Sequence, residues 1–207
     1  AAALCMTEIR PSQDRPQTDD LLPIQQKEPI MSLTISENSA TSYQLAPAGT
    51  WIARCFRVID LGEQPTEYKG QTKMQPKLML SWELLDDETQ RDDGGPMTIH
   101  KRFTASLHEK SALRKTLESW RGKAFTPEEL NAFNVSKLAG AYALIAVVHN
   151  EKDGKTYANI SSIMKPPKGM TPPPGVNDVL LFDMADPTTH DNLMALPDKL
   201  REQIEAS

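Results

Sequence analysis

The amino-acid sequence predicts a mainly β protein, a five-stranded barrel with a helical insert between its third and fourth strands. Three observations lead to this fold class. Two early segments alternate apolar and polar residues with the period of two that is typical of half-buried strands. A segment with helical spacing follows them, and two further strand-like segments follow the helical one.

By composition, the 207 residues divide into three parts. Residues 1–47 are rich in Pro, Gln, Asp and Ser without an apolar period, so we expect a disordered head. Met31 resembles a natural start, which leaves open whether residues 1–30 belong to the natural protein. Residues 48–170 form the expected folded domain. A proline-rich linker at 165–175 leads into the tail, residues 171–207, which we expect to end in a short helix.

Charge follows the same division. Residues 51–170 hold eighteen basic and fifteen acidic side chains, net +3, whereas residues 171–207 hold two basic and seven acidic ones, net −5. Phosphate binding depends on the local field, so a basic domain inside an acidic chain is compatible with a nucleic-acid partner. We also expect the acidic tail to compete with nucleic acid for the basic face.

Cysteine content and hydropathy exclude several classes of protein. Cys5 and Cys55 are the only cysteines, which excludes a disulfide framework and fits a reducing cytoplasm. No apolar run approaches the ~18 residues of a membrane span, so we expect no membrane partner.

Three strands are expected before the insert. The first, TWIARCFRVIDLG, is rich in β-branched and aromatic residues and stops at Gly62. The second, PKLMLSWELL, alternates inward Leu78, Leu80, Trp82 and Leu84 with outward Lys77, Met79, Ser81 and Glu83. The third, MTIHKRFTA, points His100, Arg102 and Thr104 outward and places Met97, Ile99, Phe103 and Ala105 on the core side. Lys101 breaks this alternation, which indicates a bulge or an open barrel mouth.

Helix signals then replace the strand pattern. A capping box of Ser106 and Glu109 predicts a helix start, and Gly122 predicts its end. Leu113, Leu117 and Trp120 form its buried stripe. Thr126 begins a second helix with Pro127 at its first position and Glu129 closing a capping box. Two strands follow, AYALIAVVHN and KTYANISSIM, joined by the turn EKDG.

Three strands, a helical insert and two strands are the order of the OB-fold, whose second and third strands and mouth loops bind oligonucleotides or oligosaccharides. The expected first loop and the outward strand faces carry basic and aromatic residues that could hold a single strand. Tyr157 could add a stacking platform or belong to the core. The candidate binding residues are Arg54, Arg57, Tyr68, Lys69, Lys73, Lys77, Met79, His100, Arg102 and Tyr157.

Signals of catalysis are weak. The four histidines are scattered without metal-ligand spacing, and the chain has neither a phosphate-cradling glycine loop nor a nucleophile elbow. Asp86, Asp87 and Asp92 could bind Mg²⁺ as in a nuclease, but a run of acidic and turn residues favours a solvated loop. We therefore expect a protein that is not an enzyme and needs no cofactor.

Two strings carry a family resemblance: HEKSALRKTLESWRGKAFTPEEL, and ALIAVVHNEKDGKTYANISSI with its following proline-lysine-glycine step. They resemble tailed-phage and prophage OB-fold single-stranded DNA-binding proteins, encoded in replication and recombination modules. The likeness covers roughly residues 48–170, and LPDKLREQI is weakly similar to the family's closing helix. It implies DNA coating in the bacterial host cytoplasm, with phage or host replication and recombination proteins as partners. The end REQIEAS lacks the acidic Pro-Phe tip of bacterial single-strand binders.

The sequence thus favours a single-stranded DNA-binding protein. A protein-interaction module of a phage or prophage is the second hypothesis, and a Mg-dependent nuclease is the third. Preference for DNA over RNA, site size and assembly into a homo-oligomer stay open at this point.

Overall fold

The computed structural model describes residues 44–207, except for the placement of Lys69 and the side chain of Tyr68. The predictions for residues 1–43, including the natural start at Met31, lie outside the described residues.

Six strands and three α-helices make up this part of the chain, which confirms the mainly β class. In chain order they are β1 (Gly49–Tyr68), β2 (Gln71–Leu84), β3 (Thr98–Thr104), α1 (Ala112–Arg121), α2 (Pro127–Asn131), β4 (Tyr142–Lys152), β5 (Lys155–Met164), β6 (Leu180–Phe182) and α3 (Asp198–Glu205). Short 3-10 helices lie at Asp87–Thr89, Val135–Leu138 and Pro187–Ala195.

β1 is the central strand of a sheet with the order β3-β2-β1-β4-β5. Its first residues, Gly49 to Arg54, pair antiparallel with β4, and it pairs antiparallel with β2 from Ala53 to Tyr68. A register shift between Cys55 and Arg57 lies just beyond the overlap of the two pairings. Bulges bend a strand, so β1 can leave one neighbour and follow the other. β6 pairs in parallel with β1 at Arg57–Ile59, where β4 no longer does.

The hydrogen-bonded path is open between β3 and β5. Lys101, the residue that breaks the apolar alternation of β3, spans this opening: its Nζ donates a hydrogen bond of 3.1 Å to the backbone oxygen of Ile160 on β5. The sheet is therefore linked at this point by a side chain, and the expected closed barrel is not formed by backbone pairing.

The main apolar core is formed by the inner faces of β1–β5 together with α1. Trp82 and Trp120 are both buried, as expected, with their ring centroids 5.7 Å apart. Trp120 Nε1 donates a hydrogen bond of 2.7 Å to the backbone oxygen of Tyr142, which ties α1 to β4. Helix α1 thus contributes Leu113, Leu117 and Trp120 to the core beneath the sheet.

The helix ends follow from local chemistry, with one correction. Gly122 ends α1 in the left-handed conformation, φ 68°, and Thr126 with Glu129 forms the expected capping box of α2. The expected start at Ser106 is wrong, because Ser106 Oγ accepts from His108 N within a tight turn. Ser111 is the N-cap instead, and its side chain accepts from Arg114 N.

The expected end of the first strand at Gly62 is also wrong. Gly62 takes a left-handed φ of 67° at a second register shift, between Asp60 and Glu63, after which β1 and β2 pair again as far as Tyr68 and Gln71. The residues expected to form a long first loop therefore form a two-stranded arm.

The tail belongs to the same compact unit as the sheet. Its residues pack on the outer faces of β1 and β2, in a second apolar cluster of Ile59, Leu61, Met79, Phe182, Leu196 and Ile204. Gln203 Nε2 donates to Gln64 Oε1 at 2.7 Å, and Gln64 Nε2 donates to the Gln203 backbone oxygen at 3.1 Å. Ala105, expected in the core, is exposed.

A buried ion pair attaches the linker to the sheet. The Glu83 side chain is fully buried, and its carboxylate is 2.6 Å from the guanidinium of Arg54. The same carboxylate accepts hydrogen bonds from Val176 N at 3.2 Å, Asn177 N at 2.8 Å and Asn177 Nδ2 at 2.7 Å, and Arg54 also donates to the Asn177 backbone oxygen. We call Arg54, Glu83, Val176 and Asn177 the Glu83 latch.

Candidate nucleic-acid interface

A groove of about 1140 Å³ lies between the β4–β5 hairpin, the start of β3 and the segment before β1. Its walls include Thr98 and His100 from β3, and Asn150, Glu151, Lys152, Lys155, Thr156, Tyr157 and Asn159 from the hairpin. Asp153 and Gly154 form the hairpin turn, both with positive φ, 52° and 71°. Such a turn matches the twist of the two strands, as the sequence predicted. We call this cavity the hairpin groove.

A smaller cavity of about 350 Å³ lies between the outer faces of β2 and β3 and helix α3. Four basic side chains line it: Arg57 from β1, His100 and Arg102 from β3, and Lys199 from α3. Ser81, Thr98 and Gln203 add uncharged polar groups, and no carboxylate residue is among the described residues that form its wall. We call this cavity the basic pocket.

The two cavities adjoin, because Thr98, Ile99 and His100 line both of them. We call the two adjoining cavities together the channel; their walls extend from the β4–β5 hairpin over β3 to α3. Lys152 and Lys155 lie at one end and Arg57 and Lys199 at the other, with Glu151 as the one acidic residue that lines either cavity in the described part of the chain. A negatively charged chain could therefore follow the channel along its length.

The basic pocket holds positive charge without counterions. Across residues 44–207, none of its four basic side chains forms an ion pair with a carboxylate. Burial lowers the pKa of Arg57. Burial, and secondarily the charge of Arg102, lower the pKa of His100. Both shifts have the sign expected of cations that lack a partner, and a bound anion would relieve them.

Tyr157 lies on the wall of the hairpin groove with 46% of its surface exposed. Of the two alternatives that the sequence left open, the core position is excluded. An exposed aromatic ring beside Lys155 can stack on a base while the lysine attracts the adjacent phosphate.

Two sequence-predicted residues are not accessible. Met79 lies on the outer face of β2, as expected, and in the wall of the basic pocket, but it is only 4% exposed because the tail covers it. Arg54 does lie on the outer face, but the Glu83 latch occupies its guanidinium. Arg57, His100 and Arg102 instead come together in the basic pocket.

The remaining predicted residues lie in the arm or, for Lys77, at its base, where β2 pairs with β3. Lys73 is exposed there, whereas Lys77 Nζ donates to Gln75 Oε1 at 3.1 Å and to Thr104 Oγ1 at 2.8 Å. The placement of Lys69 and the side chain of Tyr68 lie outside the described residues. The structure therefore gathers four predicted residues at the basic pocket, Arg57, Met79, His100 and Arg102, and two, His100 and Tyr157, at the hairpin groove, whereas Lys73 and Lys77 line neither cavity.

Sequence reasoning missed three basic residues of the channel. Lys152 and Lys155 flank the Asp-Gly turn as a cross-strand pair, and this symmetric position was a usable signal. Lys199 lies in a tail whose net charge is −5, so composition pointed away from it. Only the docking of α3 brings Lys199 to the pocket.

Two carboxylates of the acidic loop make contacts within the protein. Asp86 Oδ2 accepts a hydrogen bond of 2.6 Å from Ile52 N, and Asp93 pairs with Arg91 at 3.0 Å. Within residues 44–207, no three His, Cys, Asp or Glu side chains are grouped so that they could hold a metal ion.

Neither a scan against protein-family models nor a search of curated proteins found a match for the chain. Among the helices that the structure describes, none has the length and apolar character needed to cross a bilayer.

Proposed function

We propose that this protein binds single-stranded DNA and does not act on it chemically, in the setting of phage replication or recombination. The observation that carries the proposal is the channel: two adjoining cavities lined by basic side chains and one exposed tyrosine. Cations with an aromatic platform are the combination that binds single strands with little sequence preference.

The strand order supports an OB-fold as the platform. In that fold a five-stranded, partly open Greek-key barrel binds ligands on the face of strands two and three and at the loops joining strands one to two and four to five. Here the basic pocket lies on the β2–β3 face and the hairpin groove at the β4–β5 turn. The ligand site expected for the fold and the basic channel therefore coincide.

The first test is a salt titration of binding to fluorescent oligo-dT of about 16 nucleotides, the upper end of the site size of one OB-fold. We expect binding at low salt, with a log–log slope of about −0.7 for each phosphate that is neutralised. Wild-type protein that does not bind single strands at low salt would refute the proposal.

Two charge-matched double variants test whether the oligonucleotide binds in the channel. Lys152→Gln with Lys155→Gln removes two contacts, so the slope should become less steep by about 1.4 and the affinity at 0.1 M salt should fall about 25-fold. Lys165→Gln with Lys168→Gln removes the same charge outside both cavities and is the control. Equal effects of the two pairs would mean that only net charge matters.

The arm is tested separately, because it corresponds to the loop between strands one and two. Charge reversal by Lys73→Glu with Lys77→Glu should also weaken oligo-dT binding and flatten the salt slope. Added Mg²⁺ should leave the oligonucleotide intact. Degradation would favour the nuclease hypothesis, and Asp86, Asp87 and Asp92 would be the first residues to replace.

A protein-interaction module is the second candidate, and one feature favours it. An apolar cavity of about 320 Å³ is lined by Leu78, Leu107, Leu113, Phe133 and Leu181, with Asp60 and Asp183 also on its wall. Such a cavity fits an apolar side chain next to a lysine or arginine of a partner. Failure of the protein to bind single strands would promote this candidate.

A further inference from the structure

The acidic tail places Lys199 in the wall of the basic pocket, while the acidic side chains of α3 lie outside that wall. Leu200, Gln203 and Ile204 of α3 face the sheet, where Ile204 is 4% exposed. Asp198, Glu202 and Glu205 lie exposed on the remaining surface of the helix, and Asp198 is paired with Arg201 at 2.6 Å. Lys199 lines the pocket beside Arg57 and Arg102. Although the net charge of the tail is −5, the charged side chain that it contributes to the pocket is a lysine.

We infer that the basic pocket is a phosphate subsite whose fourth basic side chain comes from the tail, so that the tail stays docked and takes part when nucleic acid binds. This inference rests on the proposed function for the identity of the ligand, a backbone phosphate. It reverses the sequence-based expectation that the tail competes with DNA for the basic face.

The pocket has the chemistry of an anion site. Arg57 is partly buried, and among residues 44–207 it forms no ion pair, an arrangement that costs free energy unless an anion compensates the charge. Ser81 and Thr98 line the same wall and have hydroxyls that can donate to phosphate oxygens. Guanidinium groups bind phosphate in bidentate geometry, and Lys199 adds a point charge from the opposite wall.

The tail is also attached too firmly to act as a readily displaced competitor. β6 is hydrogen-bonded into the sheet beside β1, and the Glu83 latch holds the linker. Undocking the tail would return Ile59, Leu61 and Met79, each at most 4% exposed, to water. A competing tail would have to lose these contacts, whereas a tail that forms one wall loses none.

The two ideas predict opposite changes in the hydrogen exchange of α3. We expect saturating oligo-dT to slow amide exchange in residues 198–205 of the full chain, because a ligand that contacts Lys199 stabilises the docked helix. Faster exchange in α3 on binding would overturn the inference, and so would unchanged exchange. In either of those outcomes the oligonucleotide is still bound, so the proposed function would stand.

A matched pair of lysine variants tests the contact itself. Lys199→Gln should weaken oligo-dT binding about fivefold at 0.1 M salt and reduce the steepness of the salt slope by about 0.7. Lys168→Gln also removes one exposed lysine, outside both cavities, and should leave both quantities unchanged. Equal affinities of the two variants, or tighter binding by Lys199→Gln, would refute the role of Lys199.

Inorganic pyrophosphate distinguishes a phosphate subsite from a site that needs a whole nucleic-acid strand. In an NMR titration of wild-type protein it should shift the His100 ring signals and raise the pKa of His100, and Lys199→Gln should weaken that response. If pyrophosphate leaves His100 unchanged, the pocket is not a phosphate subsite. If wild-type protein responds to pyrophosphate but does not bind oligo-dT, the subsite stands while the proposed function fails.

Discussion

Loss of the Glu83 latch should destabilise the fold, because the latch attaches the linker to the sheet. Glu83→Gln keeps the shape of the side chain but replaces one acceptor oxygen with an NH₂ group. Every partner of the carboxylate is a donor: the Arg54 guanidinium, the Asn177 side chain, and the backbone N–H groups of Val176 and Asn177. In the variant, an amide donor therefore faces other donors.

The size of the effect follows from burial. The Glu83 side chain is 0% exposed and that of Arg54 is 15% exposed, so the guanidinium would stay largely buried without its counter-charge. Removing one partner of a buried ion pair costs about 3–5 kcal/mol. Because glutamine retains one acceptor, we expect a loss near the lower end, about 3 kcal/mol in the free energy of unfolding. For a domain of this size the melting temperature should fall by roughly 6–12 °C.

Urea denaturation of the full chain, followed by tryptophan fluorescence, measures the loss. Val176→Ala is the control, because that side chain is 68% exposed and the backbone N–H bonded to Glu83 remains. Gly175→Ala is an independent lesion of the same contact, since a Cβ there would lie 1.8 Å from Arg54 Cζ. If Glu83→Gln stays within about 1 kcal/mol of the Val176→Ala control, the latch does not hold the tail.

Three further predictions concern single side chains. Burial raises the pKa of the Cys55 thiol to about 12, so a thiol reagent should label it only as fast as the native protein opens. Mass analysis of the labelled peptides separates Cys55 from Cys5, and rapid labelling at Cys55 in the folded protein would contradict this burial. Trp120→Ala should cost about 3–5 kcal/mol in urea denaturation, and a loss below about 1 kcal/mol would show that the core repacks around the gap. The pKa of His100 lies below the ordinary 6.5, so the ring is mostly neutral near pH 7 and gains its charge as the pH falls. Oligo-dT affinity should therefore rise as the pH falls below about 6.5, and His100→Gln should abolish the rise. The charged groups that share the channel with this ring are Arg57, Arg102, Glu151, Lys152, Lys155 and Lys199. A pH dependence that persists in His100→Gln would assign the titration to another group.

Local patterns were sufficient for the elements that carry their own periodicity or caps. The alternation of β2 correctly placed Trp82 inside, and KTYANISSIM matches β5 at both ends. The capping box at Thr126 and the left-handed residue Gly122 were readable because their hydrogen bonds form within a few residues. The Asp-Gly turn was predicted for the same reason.

The same reasoning failed where a local signal was compatible with two structures and long-range pairing selected one of them. Gly62 can end a strand or allow a bulge, and pairing with β2 decided for the bulge. Met79 was correctly assigned to the outer face of β2, but the alternation of residues does not indicate which segment packs on that face. As a result, an apolar residue expected to meet solvent is buried beneath the tail.

From the sequence alone came the mainly β class, the insert between β3 and β4, the buried tryptophans and the basic character of the middle of the chain. The elements and the buried tryptophans depend on neighbours within about ten residues, whose spacing indicates which side of an element faces the core, whereas the charge is a sum over residues 51–170. The tertiary structure decided the rest: Arg57, His100 and Arg102 share one pocket, Arg54 is held by Glu83, and Lys199 joins them from a segment almost a hundred positions away. These residues are brought together by the packing of complementary surfaces, and the local sequence pattern of one surface does not indicate which other surface it packs against.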